Sequence, residues 1–223
     1  MNNVDTNTTT NYHEIPQHIN GEANPEWLEM RKGKLTGSKI LSIVQPTNGL
    51  LKANKQTVMK AVYTVVAELE TGFSQEGDYK SPAMEHGTET ESEANREFKK
   101  ARGLEAWYNS IGFIEREDLP YIGLSPDDIR SDRIEGLEIK CPTSTTHVMI
   151  HHTNKIPNEW LPQLITYFVM EQKMMKMNFV SYDFRCKRFP LITIILERAD
   201  YTNYINSLEE SLFEFCRLVD ETI

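Results

Sequence analysis

Apolar positions along this chain recur with two different periods, and the changes between them mark its elements. Val58, Val62, Val65, Val66 and Leu69 fall at helical spacing between Asn54 and Thr71, and Gly72 follows, so a core helix is expected there. Asn24-Pro25-Glu26 is a helix start, with a capping Asn, a Pro at the first helical position and then an acid; Gly33 ends that short element. Thr36-Gly37-Ser38 opens a second short helix carrying Ile40, Leu41, Ile43 and Val44, stopped by Pro46. Residues 74–81 read as a loop. Ser81-Pro82 opens a helix that either starts there or restarts after Gly87 and runs to Gly103, with Ala94, Phe98 and Ala101 on its apolar stripe. Strand-like runs cover 104–110, 113–119, 121–124, 134–141, 179–184 and 191–197. Residues 158–177 read as one long helix, with Pro162 in its first turn, and Leu208, Leu212, Phe215, Leu218 and Val219 define a C-terminal helix. The order is helices, a meander of strands, a helix, two strands and a helix. It predicts a mixed α/β (α+β) fold with a central mixed sheet flanked by helices, over a single domain at 24–223. Residues 1–23 are polar with little periodicity and read as a flexible arm.

The strand expected at 134–141 carries the chemistry. Alternation puts Leu137, Ile139 and Cys141 on one face and Glu138 and Lys140 on the other. Asp127, in Ser125-Pro126-Asp127-Asp128, can reach them across a hairpin. Two carboxylates and a lysine on one spot suit a divalent metal and an activated water. Glu91 lies three residues before Ala94, on the inward side of its helix. It is either a surface acid or a third carboxylate.

Composition narrows the classes. No apolar run approaches the roughly 18 residues of a membrane span, so no membrane role is expected. The Asn/Thr-rich start lacks a basic and an apolar segment, so no secretory leader is expected and a cytoplasmic location follows. Cys141, Cys186 and Cys216 are too few and too scattered for a disulfide framework or a four-cysteine cluster. His147 and His151 have the spacing of a helical zinc pair, but Val148 stands where the zincin pattern needs Glu. A net charge of −9 excludes a broadly basic nucleic-acid-binding surface, so any DNA contact must be confined to a local channel.

Pro126-Asp127 followed by Glu138-Ile139-Lys140 resembles the PD-(D/E)xK nucleases. The likeness extends to Trp27, Arg31-Lys32-Gly33 and Thr36-Gly37-Ser38, to Gly87, Glu91 and Ala94, and to Gly136-Leu137-Glu138-Ile139-Lys140-Cys141-Pro142. It continues through Trp160-Leu161-Pro162-Gln163 and Tyr182-Asp183-Phe184-Arg185. Across nearly all of 24–223 the chain is similar to the phage lambda exonuclease family of viral recombination nucleases, whose core is restriction-endonuclease-like.

That resemblance implies a Mg²⁺-dependent 5′→3′ exonuclease on linear double-stranded DNA, with Mn²⁺ as a substitute metal. It would release mononucleotides and leave 3′ overhangs for strand annealing. The resemblance also implies a homotrimer and a single-strand annealing protein as partner. Catalysis would fall to Glu91, Asp127, Glu138, Lys140 and Gln163. The metal would be held by Asp127, Glu138 and the Ile139 carbonyl, with Glu91 acting through water. Lys140 would position or deprotonate the attacking water, the latter if desolvation lowers its pKa. Arg31, Ser38 and Ser125 match positions for the 5′ phosphate, and Met84 matches an apolar wedge for the terminal base pair or is a core contact. Thr146-His147 stands where the lambda enzyme has a further Arg, which weakens any expected preference for 5′-phosphorylated ends. The alternatives are an endonuclease of the same superfamily and a non-catalytic DNA-end-binding module.

Overall fold

The computed structural model describes residues 8–19, 22–75, 82–103, 108–109 and 112–223, with side chains for all of these except 82–89 and 108–109. Its strands are β1 (Thr10–His13), β2 (His18–Ile19), β3 (Glu22–Ala23), β4 (Leu35–Thr36), β5 (Tyr108–Asn109), β6 (Phe113–Arg116), β7 (Ile122–Leu124), β8 (Asp128–Arg130), β9 (Glu135–Lys140), β10 (Lys176–Tyr182) and β11 (Leu191–Glu197). Its α-helices are α1 (Pro25–Arg31), α2 (Ile40–Ile43), α3 (Lys55–Thr71), α4 (Pro82–Arg102), α5 (Ser144–Thr153), α6 (Leu161–Met170) and α7 (Thr202–Asp220).

Local chemistry sets several of these boundaries. The Asn24 side chain accepts the Glu26 amide at the start of α1, and the Asn54 side chain accepts the Gln56 and Thr57 amides at the start of α3. Past α1, Gly33 has φ +68, and a Cβ there would lie 2.4 Å from Leu69 Cδ2, so only glycine makes the turn. The buried Glu68 carboxylate of α3 accepts the Gly33 amide at 2.9 Å, which fixes that turn against α3.

One sheet has the order β11-β10-β9-β8-β5, with β9 and β10 parallel and the other pairs antiparallel. β10 lies between β11 and β9 and is buried along nearly its whole length, its Asn178 and Ser181 included. Ala94 and Phe98 of α4 cover one face, against Leu137, Ile139, Val180 and Tyr182. The main core lies with α2, α3, α6 and α7 and includes Tyr167, Phe168, Met177 and Phe179. A second sheet, β1-β6-β7-β4, adjoins it. No helix among the described residues is long and apolar enough to cross a membrane.

Three expectations change. The run 158–177 is not one helix: α6 stops at Met170, the chain turns, and Met177 belongs to β10. The Arg198 guanidinium donates to the Phe168 carbonyl at 2.7 Å and the Met174 carbonyl at 3.3 Å, satisfying groups that further helix would have used. Within the polar segment 1–23, Thr10–His13 is a strand paired with β6, and Thr10 Oγ1 donates to the Met170 carbonyl, so this part is no free arm. Ala101 is exposed, so the apolar stripe of α4 ends at Phe98.

Candidate active site

The face alternation expected for β9 is present. Leu137 and Ile139 are buried against α4, while Glu138, 3% exposed, points to the opposite side. A carboxylate so enclosed needs donors, and it has three. Lys140 Nζ lies 2.6 Å from Oε1, Gln163 Nε2 donates to the same oxygen at 2.6 Å, and the Tyr167 hydroxyl donates to Oε2 at 2.7 Å. Lys140 also donates to Gln163 Oε1 at 3.2 Å, which closes a ring of acid, base and amide. Gln163 and Tyr167 are one turn apart on α6, so both face β9.

Asp127 precedes β8, whose antiparallel register pairs Asp128 with Leu137. Continued by one residue, that register sets Asp127 opposite Glu138, and the neighbouring Ile139 amide donates to Asp127 Oδ2. Glu91 of α4 hydrogen-bonds Asp127, so a helix on one face of the sheet meets residues of the other at the end of β9. Burial and the neighbouring carboxylates hold Asp127 well above the usual carboxylate range. Burial, opposed by the Asp127 hydrogen bond, also raises Glu91. For Lys140, burial alone would lower the pKa, but Glu138 and Asp127 outweigh it and the ammonium is held above its ordinary value. The condition set for Lys140 as a base, a pKa lowered by desolvation, is not met: three acids surround it.

This donor set suits a hard divalent cation. Crowded carboxylates with raised pKa values relieve their repulsion by binding one, through oxygen ligands. Among the described residues no three His, Cys, Asp or Glu side chains already stand as a cage. Mg²⁺ does not need one, since it commonly keeps several waters and takes one or two carboxylates.

The other candidates surround this centre. Ser38, Gly37, Lys140, Gln163, Trp160, Leu41 and Glu159 line a cavity of about 260 Å³. Gly37 packs closely there: a Cβ would lie 3.0 Å from Leu124 Cδ2 and 3.3 Å from Gln163 Cγ, so one of these side chains would have to shift. The Ser125 carbonyl accepts from Tyr167 at 3.1 Å, and its Oγ accepts from Trp27 Nε1 at 2.9 Å. Arg31 stacks over Trp27 at 4.4 Å and reaches Thr36 Oγ1 at 3.5 Å. Met84 lies in α4, but its side chain falls outside the described residues. His147 holds no metal pair with His151: it is buried, with its ring nitrogens 2.7 Å from Ser181 Oγ and 2.8 Å from the Phe189 carbonyl.

Tyr167 and Trp27 act here in ways the sequence did not reveal. Tyr167 counts as apolar in a periodicity reading. Its spacing of four from Gln163 was the available signal that its hydroxyl faces the same strand.

A family profile described as the YqaJ-like viral recombinase domain matches residues 26–172. No curated protein matches the chain. The alkaline exonuclease LHK-Exo from Laribacter hongkongensis has a similar structure, with a TM-score of 0.75 at 24% identity over 89% of this chain and 94% of its own; its complex with dAMP gives the same values. A phage-related exonuclease from Haemophilus somnus 129PT is similar at a TM-score of 0.54 and 16% identity, over 85% of this chain and 96% of its own. At these identities the likeness is one of fold.

Proposed function

The chain belongs to the YqaJ-like viral recombinase family, and from that membership and the geometry of its site we propose that it is a metal-dependent 5′→3′ exonuclease. Its substrate is linear double-stranded DNA, from which it releases mononucleotides and leaves 3′ overhangs for recombination by strand annealing. The observation that carries this reading is the buried Glu138 carboxylate, clamped by Lys140, Gln163 and Tyr167 at the end of β9 beside the Asp127–Glu91 pair. The alkaline exonuclease and the phage-related exonuclease that share this fold lend support.

Asp127, Glu138 and the Ile139 carbonyl would hold Mg²⁺, or Mn²⁺ in its place, with Glu91 reached through water. The chemistry that such a cation would supply is polarisation of the scissile phosphodiester and stabilisation of the leaving 3′ oxygen. Lys140, kept as an ammonium by its acidic neighbours, orients the attacking water and offsets charge on the phosphate. Gln163 fixes Lys140 and Glu138 relative to each other. Tyr167 donates a hydrogen bond to one oxygen of Glu138 and so holds the carboxylate in one orientation. Arg31, Ser38 and Ser125 receive the 5′ phosphate, where an arginine fork matches phosphate oxygens. Met84 parts the terminal base pair. A homotrimer enclosing the duplex, a single-strand annealing protein as partner and a location in the host cytoplasm complete the proposal, on the family resemblance alone.

The test compares linear with closed circular duplex, each with Mg²⁺ or EDTA, and 5′-phosphate with 5′-hydroxyl ends. Degradation of linear DNA in Mg²⁺ alone is expected. Cutting of closed circles would make the chain an endonuclease, and binding without hydrolysis would make it a DNA-end-binding module. A monomeric mass by light scattering would remove the trimer.

A further inference from the structure

The chain carries −9 overall, which leaves open how it holds a polyanion. Its acids number 33 in 223 residues, yet neither 141–158 nor 184–190 contains one. The fold puts these two stretches together at the site. β9 ends at Lys140, and α5 starts four residues later at Ser144. β10 runs parallel to β9 with Ser181 opposite Lys140, so the hairpin that follows Tyr182 leaves the sheet at the same end.

The hairpin is fastened to α5. Asp183, 2% exposed, accepts from Ser144 Oγ at 2.6 Å, from the Arg185 amide at 3.0 Å and from Arg185 Nε at 2.7 Å. Phe189 stacks on His151 with ring centroids 3.8 Å apart and planes 3° from parallel. Arg185 therefore answers Asp183, while Lys187, Arg188 and Lys155 are exposed and form no ion pair among the described residues. His151 and His152 are exposed beside them. α5, at 10 residues, extends this surface by about 15 Å from the end of β9.

We infer that Lys155, Lys187 and Arg188, on the braced α5–hairpin surface, form the track that grips the phosphate backbone of the substrate duplex next to the cleavage site. This rests on the nuclease reading and gives that reading its missing cationic channel. Phosphate binding by three cations releases about three counterions, so the track makes affinity fall with salt. The acids elsewhere repel DNA and leave this surface as the favoured approach.

Duplex binding is measured by fluorescence anisotropy over a salt series, in a Glu138→Gln background that preserves the DNA. K155A/K187A/R188A is compared with K55A/K60A/K173A, which removes the same charge from exposed lysines elsewhere. The track variant is expected to bind about tenfold or more weakly at low salt, with a log–log slope shallower by about 2 to 3. The control is expected to lose little of either, and unchanged circular dichroism checks folding of both. Equal losses in the two variants, or none in the first, overturn the track while leaving the nuclease reading intact. A parent chain that neither binds duplex nor, with Glu138 in place, hydrolyses it overturns both.

Discussion

Replacing Tyr167 by Phe removes one oxygen and leaves the ring that packs in the core. The hydroxyl donates to Glu138 Oε2 at 2.7 Å and also meets the Ser125 carbonyl at 3.1 Å, in a place where no water replaces it, since Tyr167 is 1% exposed. A hydrogen bond to a charged group contributes about 1.5–3 kcal/mol. Metal-ligand carboxylates lose about 10- to 100-fold in affinity or activity when a partner that orients them is removed. That range is about 1.4–2.8 kcal/mol, so the two routes agree. The variant should need about ten times more Mg²⁺ for half-maximal rate, and kcat at saturating DNA should fall by a similar factor. The assay is release of acid-soluble nucleotides from linear duplex across a Mg²⁺ titration, with the unfolding midpoint followed in parallel. An unchanged Mg²⁺ requirement and unchanged kcat in Y167F would refute the claim that Tyr167 orients Glu138.

Glu138→Gln and Lys140→Ala should each lower the hydrolysis rate by about 10³-fold or more without weakening duplex binding comparably, as read by single-turnover kinetics beside anisotropy. Gly37→Ala should press on Leu124 and Gln163, costing about 1–3 kcal/mol of stability in a urea titration and lowering kcat through displacement of Gln163. Asp128, 2% exposed, is paired with Lys99 at 2.5 Å and Asn95 at 3.2 Å, so Lys99→Met leaves it without its cation and should destabilise by about 3 kcal/mol in the same titration. Burial opposes the charge of Asp183, but Arg185 and Ser144 outweigh it and hold its carboxyl well below the usual range. Its contribution is therefore complete above the unfolded carboxyl pKa of about 4 and drains as pH falls below that; Arg185→Ala should flatten this acid limb of stability against pH.

The centre of the site was legible because strand alternation is strict: once 134–141 reads as a strand, Glu138 and Lys140 must share a face. The spacing of Glu91 to Ala94 offered an inward place on α4 but left a surface acid as the alternative, and only the family resemblance chose between them. What stayed hidden depends on contacts distant in sequence. α6 ends where Arg198, some thirty residues on, takes the Phe168 carbonyl, whereas the apolar positions Met174 and Met175 suggested that it continued. β1 exists because β6, about a hundred residues later, supplies its partner. Tyr167 and Trp27 were counted for their rings, and their polar tips found partners only through packing. The basic surface was masked by a whole-chain charge that averages over where the charges lie.

The proposed function rests on Asp127, Glu138 and Lys140 hydrolysing DNA from its 5′ ends. The most direct measurement follows a linear duplex labelled at its 5′ ends in one sample and its 3′ ends in another, with the natural chain and with Glu138→Gln. Immediate release of the 5′ label as mononucleotide by the natural chain in Mg²⁺, retention of the 3′ label, and no release by the variant are expected. Release of the 3′ label first, or equal release by Glu138→Gln, would contradict it.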